Sequence, residues 1–219
     1  MALAIFDLDH TLLSGDSDHT WGQFLVDNKI VDPSHYERQN NHFYEQYKAG
    51  GLDINEYLTF ALKPLTENPL ATMLALRERF VEQRIKPLIT QKARNLVAKH
   101  EHAGDDLLII TATNAFITRP IATLLGFNEL IAPEPEIIDG QYSGGITGIP
   151  SFHQGKVTRL NMWLTEKNMT LDGAFFYSDS HNDLPLLNLV DHPIAVDADE
   201  ILTDTATRNG WPIISLRDI

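Results

Sequence analysis

Five short runs of apolar residues, at 2–6, 107–110, 174–177, 194–196 and 213–214, punctuate the chain. They are short and continuous, the pattern of strands buried on both faces of a parallel sheet. Helical patterns lie between them. Residues 90–101 lead into the second run, with Gly104 closing the connection, and residues 115–125 leave it, with Gly126 placed to end that helix. Residues 155–167 precede the third run and residues 183–190 follow it. Strands alternating with helices predict an α/β fold with a doubly wound parallel sheet. Ligands of such sheets bind beyond the carboxyl ends of the strands, and Asp7, Thr111 and Asp179 each fall at one.

Between residues 14 and 86 the pattern changes, and helical signals run without a convincing strand. Asp32-Pro33 supplies an N-cap and a proline for the first helical position. Tyr36, Asn40, Phe43, Tyr44 and Tyr47 then share one helical face, which ends at Gly50-Gly51. Asp53-Ile54-Asn55-Glu56 reads as a capping box with Asp in its first position. Asn68-Pro69 opens another helix carrying Met73, Leu76 and Phe80. These signals predict a helical cap at residues 15–86, standing over the sheet as a lid, with residues 1–14 and 87–219 forming the catalytic core. The glycine-rich stretch 137–149 predicts a hairpin or a mobile loop.

The bulk properties narrow the functional classes. With 219 residues, 43% of them hydrophobic, the chain can build one good core and a small accessory unit. It has no cysteine, which removes disulfides and thiolate chemistry and fits a cytoplasmic protein. Asp7 and Asp9 interrupt any signal-peptide apolar region, and no apolar stretch approaches the ~18 residues of a membrane span. A formal net charge of -13 argues against nucleic-acid or anionic-membrane partners. An anionic substrate must therefore be attracted locally, by a metal and a few basic side chains.

The candidate chemistry sits at the strand ends. In Asp7-Leu8-Asp9-His10-Thr11, a carboxylate at Asp7 can attack phosphorus. Residues two apart on extended backbone share a side, so Asp9 can protonate a leaving oxygen and then activate water. Thr11 can donate to a phosphoryl oxygen. A calcium loop would want Gly and Glu where Leu12 and Asp18 stand, which rejects that alternative. Asp179, with Asp7 and the backbone carbonyl of Asp9, offers a few oxygen ligands and leaves room for water and phosphate, as Mg²⁺ prefers. Asp183 fits a supporting partner of that site, or a carboxylate favoured at a helix start. Thr111 and the amides that follow it, beginning with Ala112, suit a phosphate oxygen. Lys156 opens a helix, where it either offsets the carboxylates or is a solvated surface lysine. The nine histidines show no metal spacing; His10 and His181 flank the acidic clusters, and the pair His100 and His102 reads as surface.

Taken in order, Asp7-Leu8-Asp9-His10-Thr11, Thr111, Lys156 and Ser178-Asp179-Ser180-His181-Asn182-Asp183 resemble the four motifs of the haloacid dehalogenase superfamily. The helical insertion after the first motif is similar to the C1 cap of the phosphoserine phosphatase-like subgroup, subfamily IB. The resemblance implies Mg²⁺-dependent hydrolysis of a small phosphomonoester through a phospho-aspartate on Asp7. It assigns Asp9 as acid and base, Thr111 and Lys156 as phosphate binders and Asp179 as metal ligand, and it brings Asn182 towards the site. Phosphoserine phosphatases carry a Glu after the first motif that binds the substrate amine; Asp16 is its nearest match here, or else caps the first lid helix. Their cap Arg, which binds the substrate carboxylate, has no counterpart in Ile54-Asn55-Glu56-Tyr57-Leu58-Thr59-Phe60. An amine-bearing phosphate without a carboxylate fits better, as for histidinol-phosphatase-like members. The aromatic residues Trp21, Phe43, Tyr44 and Tyr57 either stack an imidazole or form the cap's own core. Alternatives are phosphoserine hydrolysis, phosphoryl transfer to another alcohol, and a phospholipid headgroup phosphatase, which would want a membrane anchor that is not seen.

Overall fold

The structure, a computed structural model, describes residues 2–218, so Met1 and Ile219 of the expected core segments lie outside it. Strand β1 (Leu3–Phe6) is followed by four helices, α1 (Ser17–Asp27), α2 (Pro33–Lys48), α3 (Ile54–Glu67) and α4 (Leu70–Phe80). The chain continues through α5 (Gln91–Ala103), β2 (Asp106–Ile110), α6 (Ala115–Leu124) and β3 (Glu129–Ile131). An antiparallel hairpin of β4 (Glu134–Ile138) and β5 (Gln141–Thr147) comes next. Then follow α7 (Gln154–Lys167), β6 (Phe175–Ser178), α8 (Leu184–Leu187), β7 (His192–Val196), α9 (Glu200–Asn209) and β8 (Ile213–Ile214).

Six strands form one parallel sheet in the order β3-β2-β1-β6-β7-β8. The period-2 alternation of strand side chains divides the core in two. Phe6, Ile109, Tyr177 and Val196 face one layer, which they share with residues of α1, α4, α5 and α6. Ile5, Leu108, Phe176 and Ala195 face the other, with residues of α7 and α9. Phe6 pairs in register with Ile109 on one side and Tyr177 on the other. The chain therefore leaves three neighbouring strands at one edge of the sheet, and Asp7, Thr111 and Asp179 emerge together.

The helix signals act as expected. Asp32 accepts a hydrogen bond from His35 N, and Asp53 accepts from Asn55 N and Glu56 N. Thr90 caps α5, which closes at Gly104 in the left-handed conformation (φ 77). The expected helix over 183–190 is shorter, a turn at His181–Asp183 leading into α8. After Asn188 N closes on Leu184 O, Leu189 N bonds Leu186 O three residues back, and the helix ends there. Two elements carried too little pattern to be expected: α9 and the three-residue strand β3.

The histidine pair is corrected. His102 is exposed, but His100 is buried, with its ring nitrogens 2.8 Å from Asp105 Oδ2 and 2.8 Å from Tyr177 Oη. Residues two apart on a helix point about 200° apart, so one of the pair faces the sheet. Of the two readings of Trp21, packing in the core is the one the structure supports. It lies in the core, with ring centroids 5.1 Å from Phe80 and 5.9 Å from Phe116. This cluster joins α1 and α4 to α6, so the inserted helices share the sheet's hydrophobic core.

Phe80 is fully buried at the centre of that junction. Phe80→Ala should cost about 3–5 kcal/mol. Urea denaturation measures it, and a loss under about 1 kcal/mol would show that the α4 contact contributes little to the fold.

Candidate active site

The segment after β1 sets the geometry. Asp7 N donates to Tyr177 O at 2.9 Å, extending the β1–β6 ladder by one residue. The backbone then turns: Asp9 stays extended, His10 adopts a left-handed conformation (φ 56), and Leu13 N closes back on Leu8 O at 3.0 Å. Arg217, near the C-terminus, donates to the carbonyls of His10 and Leu13 and holds this turn from below.

Asp7 is 4% exposed, and Lys156 Nζ donates to its Oδ1 at 2.7 Å. The same ammonium lies 2.8 Å from Asp183, whose Oδ2 also accepts from Ser178 Oγ at 2.7 Å. Lys156 is therefore a buried bridge between two carboxylates. Burial raises the Asp7 pKa, Lys156 opposes that, and Asp183 and Asp9 add to it. Burial also works against the charge of Lys156, but Asp183 and Asp7 more than offset it, and its net shift is upward. The two upward shifts imply opposite charge states for the pair. Contact with two carboxylates decides it, and the lysine keeps its proton. Lys156 is placed by Gly155, where an added Cβ would fall 2.1 Å from Pro150 O.

Asp9 is held from two directions. Ser17 N donates to Oδ1 at 2.6 Å, and Thr113 Oγ1 donates to Oδ2 at 2.8 Å. Burial raises its pKa, Asp16 adds to the rise, and these hydrogen bonds oppose it. Thr113 was not singled out from the sequence, where it is one of several threonines near a strand end. Thr111, Ala112 and Thr113 line the pocket together, and Thr111 Oγ1 accepts from Thr113 N at 3.1 Å. Thr11 is fully buried, and its hydroxyl lies 3.0 Å from Asp179 Oδ1 and 3.4 Å from Asp7 Oδ2. It links the two carboxylates instead of pointing into the pocket. Asn182 is likewise turned aside: Nδ2 donates to Tyr47 O at 3.1 Å, and Oδ1 accepts from His153 Nε2 at 2.8 Å. It joins α2 to the end of β6.

The pocket above Asp7 is walled by Asp9, Asp16, Asp18 and His19, by Thr111–Thr113, and by Phe43, Tyr44, Tyr47 and Tyr57. No lysine or arginine lines it. Asp16 is both a helix cap and a lining residue, for its Oδ1 accepts from His19 N at 2.7 Å while the side chain borders the cavity. Asp18 was read from the sequence only as a position in a rejected calcium loop. It is 7% exposed and hydrogen-bonded by Tyr57 Oη. Burial pushes its carboxyl up to about 8, Tyr57 opposes this, and Asp16 and Asp9 reinforce it. A tyrosine 39 residues away on α3 buries it, so no local signal could have found it.

Among the described residues no three side chains of His, Cys, Asp or Glu converge as a metal cluster. The donor set at the strand ends nevertheless suits a hard dication. Burial drives the Asp179 carboxyl well above its ordinary range, and Asp7 adds to this while Thr11 opposes it. Asp7 and Asp183 share the buried ammonium of Lys156, and Asp179 is joined to Asp7 through the Thr11 hydroxyl. Two oxygens from Asp7 and Asp179, with a backbone carbonyl, match the sparse protein coordination that Mg²⁺ accepts.

Residues 4–188 match the haloacid dehalogenase-like hydrolase family. The chain belongs to that family. It is an enzyme, a phosphatase of the haloacid dehalogenase type. A histidinol-phosphatase of Neisseria meningitidis is 43% identical over 219 residues, covering 98% of this chain and 99% of that one. A phosphoserine phosphatase of Mycobacterium tuberculosis is 29% identical, covering 99% of this chain and 71% of its own. Among solved structures, a Bordetella pertussis protein described as of unknown function superposes with a TM-score of 0.93 at 41% identity, covering 99% of both chains. A substrate-bound phosphoserine phosphatase superposes with a TM-score of 0.73 at 17% identity, covering 99% of this chain and 93% of that one, which shows the shared fold.

Lys156→Met should destabilise the enzyme by about 3–5 kcal/mol near neutral pH, because two buried carboxylates lose their cation. The Asp7 carboxyl, already raised by burial, then rises further above its unfolded value, so stability is lost as pH climbs from the ordinary carboxylate range through the raised value. Denaturation at about pH 8 should show a larger deficit than at about pH 5, and a pH-independent deficit would contradict the ion-pair assignment.

Proposed function

We propose that the enzyme hydrolyses a small phosphomonoester whose alcohol carries basic nitrogen, with histidinol phosphate as the chemistry that fits best. One observation carries this reading. The pocket beside Asp7 holds three further acidic side chains, an aromatic wall and one histidine, and no lysine or arginine lines it. A substrate carboxylate, as in phosphoserine, would enter such a pocket unpaired, at a cost of several kcal/mol. A cationic group would be neutralised. The 43% identical histidinol-phosphatase supports the same reading over nearly the whole chain.

In the proposed reaction, an Asp7 oxygen attacks phosphorus and the bond to the alcohol oxygen breaks. The Asp9 carboxyl delivers its proton to the departing alkoxide, which leaves as the alcohol. Asp9, now a carboxylate, takes a proton from water as that water attacks the aspartyl-phosphate. Inorganic phosphate leaves and Asp7 is restored. Asp9 suits both steps because burial raises its pKa while Ser17 and Thr113 keep its orientation fixed. Lys156 holds positive charge against Asp7 and orients it. Thr111 and Ala112 border the space that the phosphoryl oxygens would occupy. Asp7, Asp179 and the carbonyl of Asp9 would hold Mg²⁺, which when bound supplies the positive charge that draws the phosphate to an acidic site. The helical cap, residues 15–86, is proposed to choose the substrate, with Asp16 reading its amine.

Phosphate release with Mg²⁺ tests this on histidinol phosphate, phosphoethanolamine and phosphoserine. The kcat/KM for histidinol phosphate should exceed that for phosphoserine by about 10-fold or more, the equivalent of one charge-assisted bond. A preference for phosphoserine would overturn the substrate reading. Asp7→Asn should abolish turnover on every substrate, and retained activity without deamidation by mass spectrometry would remove Asp7 as nucleophile.

A further inference from the structure

We infer that Asp18, held by Tyr57 across the gap between α1 and α3, is a specificity-determining residue that binds a basic heteroaromatic ring at the end of the pocket away from Asp7. The inference rests on the phosphatase reading above and deepens its substrate side.

Three observations lead to it. First, Asp18 is more than nine-tenths buried yet borders the cavity. Its Oδ2 accepts from Tyr57 Oη, and its Oδ1 has no hydrogen-bond partner among the described residues. A buried carboxyl with one neutral donor and one idle oxygen favours its protonated form in the empty pocket, and a bound cation would restore its charge. Second, no cation offsets it. The charges that act on Asp18 are Asp16 and Asp9, both negative, and no lysine or arginine borders the pocket. Third, its surroundings are flat and apolar. Phe43 and Tyr57 meet edge to face with ring centroids 5.4 Å apart, and Leu52 and Ile54 continue the wall. An aromatic wall beside a carboxylate matches a planar cation or a ring N–H donor, such as an imidazole.

The division of labour between the two lid carboxylates follows from their positions. Asp16 is the leading charge acting on Asp9 and lies at the α1 N-cap, close to the reacting phosphate. It suits an ammonium a few bonds from the ester oxygen. Asp18 is tied to α3 and faces the wall built by α2 and α3, so it suits a group further from the ester. A phosphomonoester with both an amine and a ring would engage both.

Asp18→Asn tests the inference, since the amide keeps the Tyr57 contact and removes the charge. The loss in kcat/KM on histidinol phosphate should exceed the loss on para-nitrophenyl phosphate by about 10- to 150-fold, the range for a charge-assisted hydrogen bond. The loss should fall mainly in KM, because the ring stays bound throughout the reaction. Tyr57→Phe should shift the same ratio in the same direction. Equal losses on both substrates would reduce Asp18 to a structural residue and overturn the inference while leaving the substrate reading intact. Inhibition of para-nitrophenyl phosphate hydrolysis by histidinol separates the two ideas in the other direction. If the wild-type enzyme does not turn over histidinol phosphate, but histidinol inhibits it and inhibits the variant about 10-fold less, the substrate reading falls and the ring site stands. Equal inhibition of both proteins would overturn the ring site.

Discussion

Keeping Asp7 charged inside the protein is the demand around which the site is arranged. A carboxylate at the end of a central buried strand is costly unless it is paired. Lys156 meets that demand, and it stays protonated because Asp183 holds it from the opposite side. Asp183 is in turn fixed by Ser178, the last residue of β6. The ion bridge therefore connects β1, α7 and the end of β6. The close approach of Gly155 to the Pro150 carbonyl helps to place the lysine.

The helical side of the pocket solves a different electrostatic problem. The helices α1, α2 and α3 bring carboxylates and aromatic rings to the cavity and bring no lysine or arginine. With a net charge of -13, the protein repels anions over long range. A phosphate ester whose remaining part is cationic would be attracted to such a place. The excess of acid in the pocket is thus the physical basis for reading a cationic substrate. Trp21, Phe80 and Phe116 join α1 and α4 to α6, so this side of the pocket is seated on the same hydrophobic layer as Phe6.

Much of this was legible in the sequence because the chemistry of the strand ends is local. A short apolar run followed by Asp-x-Asp, a second ending in Thr, and a third followed by Ser-Asp announce a parallel sheet with carboxylates at one edge. The capping residues Asp32, Asp53 and Thr90 marked helices through their own hydrogen bonds. The family resemblance added the order of the motifs. Less was legible where the decisive partner is distant in the chain. Thr11 and Asn182 carry polar groups suited to phosphate, yet their hydrogen bonds go to Asp179 and Tyr47. His100 matches His102 in sequence terms, and only the packing of α5 on the sheet buries one of them.

The sequence by itself determined the parallel sheet, the inserted helices and the acidic residues at the strand ends, since backbone periodicity and capping act between near neighbours. The tertiary structure alone decided which of those polar groups meet. Lys156 reaches Asp7 across 149 positions, Thr113 reaches Asp9 across 104, and Tyr57 covers Asp18 across 39. Such contacts are set by strand order and helix packing. Burial then fixes the charge each group carries, and no local stretch of sequence encodes burial.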